Sequence, residues 1–214
     1  MGRSSQLASS TVYQFFYGGN MDVVPLTTLA FVSTITPGPN NFMLLASGMN
    51  HGARRSWRHV WGVALGFAFL IFVVTLGLGT IFDRYAALEI VLKISGGLYL
   101  TYLAWKIFTT EKIGTTEAKT APLTFLQAAA FQWVNPKAWV MATTAASTLI
   151  ADQSPLTGAL FLAAGFVIVG IPCISSWMLT GAYALRWIDN ARIVKRINQA
   201  LGLLLVATVV VLVA

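Results

Sequence analysis

The chain reads as an all-α integral membrane protein: six transmembrane helices in two inverted three-helix repeats, with helices 1 and 4 broken. Three observations predict this. The 214 residues are 57% hydrophobic and only 10% charged, against about a quarter charged in soluble domains. A water-soluble core of this size has no room for so much apolar surface. The apolar residues fall into six windows, each near the ~20 residues that a helix needs to cross a bilayer. Finally, two proline-interrupted stretches, Thr36-Pro37-Gly38-Pro39-Asn40 and Asn135-Pro136-Lys137, lie about 99 residues apart inside the first and fourth windows. That separation is roughly half the chain beyond Met21.

Residues 1–20 differ from the rest. Ser4, Ser5, Ser9, Ser10 and Thr11 make them polar, and no apolar run is long enough for a signal peptide. They are expected to be a disordered N-terminal extension, with Met21 as the native start of a six-helix domain over 21–214. Repeat one is placed at 21–110 and repeat two at 122–214.

The windows fall at 23–48, 60–82, 86–108, 123–149, 156–185 and 197–214. The sixth is short, but its Leu203-Leu204-Leu205-Val206 and Val209-Val210-Val211-Leu212-Val213 runs make it a span. Length and the absence of alternating polarity select helix over strand. Charge then orders the loops. Arg54, Arg55 and Arg58 follow window one; Lys106, Lys112 and Lys119 follow window three, partly offset by Glu111 and Glu117; Arg186, Arg192, Lys195 and Arg196 follow window five. The other two loops hold Asp83, Arg84 and Glu89, or Asp152 alone. Lys and Arg mark the cytoplasmic side, so the three basic loops are predicted inside and both termini outside. Trp57, Trp61, Trp105, Trp177 and Trp187 fall near that predicted cytoplasmic interface, where amphipathic rings settle. The +7 net charge is therefore topogenic, and no nucleic-acid partner is implied. The Arg54-Arg55-Ser56-Trp57-Arg58 block also fits lipid headgroups.

Three spans per half require the second half to be inserted upside down. Pro37 then lies about 14 residues into its span and Pro136 about 13, both near ~20 Å from their starting surfaces and around mid-bilayer. Matched midplane breaks in inverted repeats are a recurring carrier design. In Asn135-Pro136-Lys137 the order is that of a helix start, Asn as N-cap and Pro in the first turn. Gly38-Pro39-Asn40 reads the same way, Gly38 permitting unusual dihedrals. Two half-helix starts would thus bring free N–H donors and positive dipole ends together, a setting for a carboxylate. Lys137 adds a full charge that costs roughly 2.5–3.5 kcal/mol at the midplane, so it should face the bundle interior. There it meets a substrate carboxylate or alternates between charged and neutral forms. Asn40, Asn41, Gln132 and Asn135 could supply acceptors for an ammonium, and Trp133 and Trp139 apolar or cation-binding walls.

Plainer readings compete. Proline kinks serve packing alone in many membrane helices; two matched breaks with a buried lysine weigh towards a site. Glu89 and Lys93 have the favourable i,i+4 ion-pair order near the end of window three and read as structural. Gly62 and Gly66, like Gly96-Gly97, read as close helix packing, the first pair also compatible with a homodimer. Pro172 hinges or kinks. His51 and His59 read as solvated loop residues. Cys173 is the one cysteine, which leaves no disulfide framework and no thiolate metal cluster. No cofactor or metal site is expected.

Thr36-Pro37-Gly38-Pro39-Asn40, Gly96-Gly97-Leu98-Tyr99-Leu100 and Asn135-Pro136-Lys137-Ala138 resemble the motifs of the LysE/RhtB family of bacterial amino-acid exporters. The resemblance covers nearly everything after Met21. Tyr99 through Lys106 and His51-Gly52-Ala53-Arg54 are most similar to the cysteine/O-acetylserine exporter branch. The resemblance implies a six-helix carrier that expels small zwitterionic amino acids or derivatives across the cytoplasmic membrane against proton entry. It also carries the family's functional positions onto Thr36, Pro37, Gly38, Pro39, Asn40, Asn135, Pro136 and Lys137. Two other classes stand beside this one. An inorganic-ion or metal exporter would share the fold, but no intramembrane carboxylate or Cys/His cluster favours it. An intramembrane enzyme lacks a nucleophile–base set.

Overall fold

The computed structural model describes residues 23–78, 86–110, 121–149, 154–184, 188 and 190–213. Among these, every regular element is helical. They are α1 (Val23–Ile35), α2 (Pro39–Val73) with a π-helical extension Val74–Leu78, α3 (Ala86–Phe108), α4 (Phe125–Phe131) with a 3₁₀ turn Gln132–Val134, α5 (Pro136–Leu149), α6 (Pro155–Ala184) and α7 (Ala191–Val213). By length and composition, three helical runs among the described residues can cross a membrane: Pro39–Gly77, Pro155–Ala184 and Ala191–Val210. The 1–20 extension, the Glu89–Lys93 side chains, the acidic loop residues and Trp187 lie outside the described set.

The two proline stretches interrupt helix as the sequence predicts. α1 stops at Ile35 and α2 starts at Pro39; the 3₁₀ turn stops at Val134 and α5 starts at Pro136. The loop expected after window one is far shorter than the sequence suggests: two helices meet at Gly52, which alone leaves helical geometry, at φ 74° and ψ 165°. That one residue reverses the chain. Ser47 and Ser56 hydroxyls come to 2.8 Å, Leu44 packs in one cluster with Val60, and Asn41 lines one cavity with Val63. α2 is thus a hairpin of two antiparallel limbs, 39–51 and 53–73. Ser56 Oγ holds the turn by donating to Gly52 O at 2.9 Å.

Gly52 occupies a backbone region that is essentially glycine-only and costs other residues about 1–3 kcal/mol. A Cβ there would meet nothing within 4 Å, so the strain is purely of the backbone. Gly52→Ala should lower stability by about that much without a clash, read as a lowered melting temperature in detergent. An unchanged melt would mean that the turn does not depend on this dihedral.

The hairpin is the centre of the molecule. α6 packs along it, α1 packs on α6, α4 on the second limb, and α3 pairs with α7. Glycines make these approaches close. A Cβ on Gly48 would fall 1.9 Å from Met178 O, and one on Gly62 2.4 Å from Phe125 O. On Gly66 it would fall 2.4 Å from Ala129 Cα. The Gly62/Gly66 pair therefore packs α2 against α4 within the chain, and does not present a free face for a homodimer. α7 begins earlier than window six. Asn190 Oδ1 accepts from Arg192 N at 2.9 Å, so this N-cap draws Arg192, Lys195 and Arg196 into the helix rather than a loop.

Candidate functional site

Pro37 and Pro39 lack N–H groups, so α1 cannot hand its last carbonyls to the following chain. Carbonyls at bilayer depth need donors, and each from Val32 to Pro37 has one. Thr36 supplies its own N–H to Val32 O at 3.3 Å and its hydroxyl to Ser33 O at 3.0 Å. Asn41 Nδ2 donates to Thr34 O at 2.9 Å and Thr36 O at 2.7 Å. The Trp177 indole of α6 donates to Ile35 O at 3.0 Å. Lys137 Nζ, from the other break, donates to Thr36 O and Thr36 Oγ1 at 2.8 Å and to Pro37 O at 3.2 Å.

Two expectations are corrected here. The Lys137 ammonium is held by backbone carbonyls and the Thr36 hydroxyl. All three of its protons are engaged, and they sit at the negative end of the α1 dipole, where a cation is favoured. Trp177 is no interface anchor; it closes the α1 terminus and meets Phe42 edge-on at 6.4 Å. Gly38 is extended, with φ 175° and ψ 177°, a conformation open to any residue. Glycine is needed there for space, because a Cβ would lie 2.9 Å from Lys137 Cδ.

A second bridge joins the breaks. Asn40 Nδ2 donates to Gln132 Oε1 at 2.9 Å, and Gln132 Nε2 returns the bond to Asn40 Oδ1 at 3.2 Å. Gln132 is fully buried and also donates to Ala128 O at 2.9 Å. Beneath this pair lies a cavity of about 40 Å³. Gly38, Asn40, Asn41, Gln132, Asn135 and Lys137 supply its polar wall; Phe67, Ala138, Met141 and Phe166 are among its apolar lining.

Both helix starts open on this cavity. The first turn of α2 leaves the Asn40 and Asn41 N–H groups without an intrahelical partner, while Gly38 O accepts from Phe42 N at 3.0 Å. Asn135 caps α5 through its carbonyl, which accepts from Ala138 N at 3.0 Å and Trp139 N at 3.3 Å. Its side chain does not cap. Asn135 Oδ1 is buried with no hydrogen-bond partner, and the residue is only 2% exposed. An orphaned acceptor in a polar cavity is a place for a donor from outside the protein.

Thr36, Pro37, Pro39 and Pro136 build the breaks without lining the cavity. Trp133 stands apart from it: its ring packs on Phe69 at 5.8 Å and Trp139 at 6.1 Å, and Trp139 Nε1 donates to Trp133 O at 2.8 Å. Ser33, Thr34, Phe166 and Gly170 join the lining without a motif to announce them, since α6 and the end of α1 reach the cavity only through packing. His59 is not solvated, and His51 is half-buried. His59 is 1% exposed, because the hairpin turns so tightly that its ring faces the first limb.

A family model described as LysE type translocator matches residues 31–214. Cysteine/O-acetylserine efflux proteins of Escherichia coli (strain K12) and Shigella flexneri serotype 5b (strain 8401) are each 36% identical over 132 residues. That of Escherichia coli O1:K1 / APEC is 36% identical over 133 residues. These alignments cover 59% of this chain and 65% of each relative, so the chain spans about two-thirds of their length. No solved structure matches.

Proposed function

This chain belongs to the LysE type translocator family, and from that premise we propose that it exports small amino acids across the cytoplasmic membrane in exchange for protons. One observation carries the reading: two broken helices meet at a polar cavity whose walls offer unpaired donors and one unpaired acceptor. The N–H groups at the start of α2, with the positive end of its dipole, suit a carboxylate. Asn135 Oδ1 suits the ammonium. The apolar lining from Phe67, Met141 and Phe166 suits a short side chain, such as those of the cysteine and O-acetylserine for which the relatives are named.

The architecture proposed is six crossings in two inverted repeats. α1 with the first limb of α2, the second limb, and α3 form one; α4 with α5, α6 and α7 form the other. The basic stretches then lie inside and both termini outside. Cross-break bonds support this pairing, since Lys137–Thr36 and Asn40–Gln132 tie the two breaks together. A cavity of about 40 Å³ holds a few water molecules and less than an amino acid needs. Substrate therefore enters when the helices part, as alternating access requires.

The test is counterflow of labelled amino acids in proteoliposomes, with and without an imposed pH gradient. Saturable exchange of small neutral amino acids is expected. Exchange of metal salts with no amino acid transported would defeat the reading. Asn135→Leu should raise the counterflow KM about tenfold or more, since a hydrogen bond to a charged group is worth about 1.5–3 kcal/mol. The fold should tolerate it, because Oδ1 has no protein partner to lose. An unchanged KM would remove Asn135 from the site.

A further inference from the structure

The Gly52 end of the hairpin holds a second cavity, of about 50 Å³, separate from the first. Ser47, Asn50 and His51 line it from the first limb, His59 from the second, and Lys106 from α3. A layer of Leu44 and Val60, both fully buried, lies between the two cavities along the same hairpin.

The neutral polar groups here are spoken for. Asn50 and Asn198 exchange side-chain amide bonds, both at 3.0 Å, and Asn198 also donates to Thr110 O at 3.2 Å. Ser47 pairs with Ser56. The imidazoles are left over. Both ring nitrogens of His59 and Nδ1 of His51 are buried without a partner. A neutral imidazole carries one donor and one acceptor, and either one buried unpaired is unfavourable. Water in the cavity, which has room for a few molecules, would meet both needs.

We infer that this cavity is a proton-exchange site and that His59 is the group that carries the proton. The inference rests on the exporter reading above and supplies its coupling residue. Lys137 is bound to three acceptors, and no Asp or Glu falls mid-span in the sequence. Histidine's ordinary charge change falls near neutral pH, and an imidazole that is alternately sealed beside cations and opened to water gives its proton up in one state and takes one in the other. The imidazole takes a proton from water, an N–H bond forming as an O–H bond breaks, and returns it to water on the other side. The groups that face it are His51 from the first limb and Lys106 from α3, with Arg55 acting on His51. α7 meets the lining residue Asn50 through the neutral Asn198, and residues 121–123 add no charge. Coupling to substrate follows from position. His59 and Val63, which lines the substrate cavity, are one helical turn apart, about 6 Å along the second limb. Parting the limbs to admit an amino acid therefore alters the surroundings of His59.

Wild type and His59→Gln should be compared in proteoliposomes by two assays, counterflow without a gradient and accumulation driven by an imposed pH gradient. Expected is counterflow within about twofold of wild type and gradient-driven accumulation below about a tenth. Full gradient-driven accumulation by His59→Gln overturns the inference. So does wild-type counterflow that ignores the gradient, and that result leaves amino-acid export standing. No wild-type counterflow with any amino acid removes export itself, and the proton role with it. If His59→Gln fails to assemble, His51→Gln decides, because the chain has only two histidines. Its single ¹⁵N-labelled imidazole in lipid should take up a proton as the pH is lowered and shift on addition of a transported amino acid. An imidazole that neither titrates nor responds overturns the proposal.

Discussion

Lys137→Met is expected to reduce amino-acid counterflow by ten- to more than a hundredfold while the protein still reaches the membrane. The size follows from what the ammonium holds. It makes three charge-assisted contacts, to Thr36 O, Thr36 Oγ1 and Pro37 O. Thr36 O keeps Asn41 as a donor, but Pro37 O loses the bond it receives from Lys137. Hydrogen bonds to charged groups contribute about 1.5–3 kcal/mol, and each 1.4 kcal/mol is tenfold. The damage falls on the geometry of both breaks, and so on the donors at the start of α2. Lys137→Arg should rescue poorly, because Gly38 leaves no width for a guanidinium beside it. Membrane abundance and counterflow measured together decide the matter. Undiminished counterflow in Lys137→Met would show that the junction of the breaks is irrelevant to transport.

Gly181→Val is expected to abolish recovery of folded protein. A Cβ at Gly181 would stand 2.0 Å from Leu45 O, 2.9 Å from Leu45 C and 3.0 Å from Met49 N. These are backbone atoms of the central hairpin, with no rotamer to move aside. α6 and the first limb would have to separate by more than an ångström along their crossing, which loosens the buried cluster of Leu44, Val60, Ile174 and Met178. The cost should exceed the ~1–3 kcal/mol typical of overpacking. In membranes, where helix association depends on close packing, little else would offset it. Gly97→Ala is the control. Its Cβ would meet Val209 Cγ1 at 3.5 Å, an ordinary contact, so that variant should run as a monodisperse peak in detergent while Gly181→Val aggregates. A monodisperse Gly181→Val would mean that the crossing is not as close as described.

Much of the site was legible because its chemistry is encoded by residues that cannot do otherwise. Pro37, Pro39 and Pro136 withhold N–H donors, so helices must stop there, and Lys137 beside one of them cannot face lipid. What Lys137 touches was not legible. Its partners are carbonyls of another helix, and any residue presents a carbonyl. Asn135 misled for a related reason: its position is that of a capping residue, but its own backbone carbonyl does the capping and the side chain is released into the cavity. Trp177 and Trp133 carried no local signal to separate ring at interface, ring at helix end and ring in a stack.

By itself the sequence determined the helical class, the positions of both breaks and the membership of Lys137 in the interior, since hydropathy and missing donors are properties of the chain alone. Only tertiary structure decided that the turn between the first two spans comes down to one residue, Gly52. It also decided that His59 is sealed inside that fold and that two distant breaks share one set of hydrogen bonds. The reason is physical: burial and hydrogen-bond partnership depend on which faces meet across long sequence distances, and composition sets no such distances.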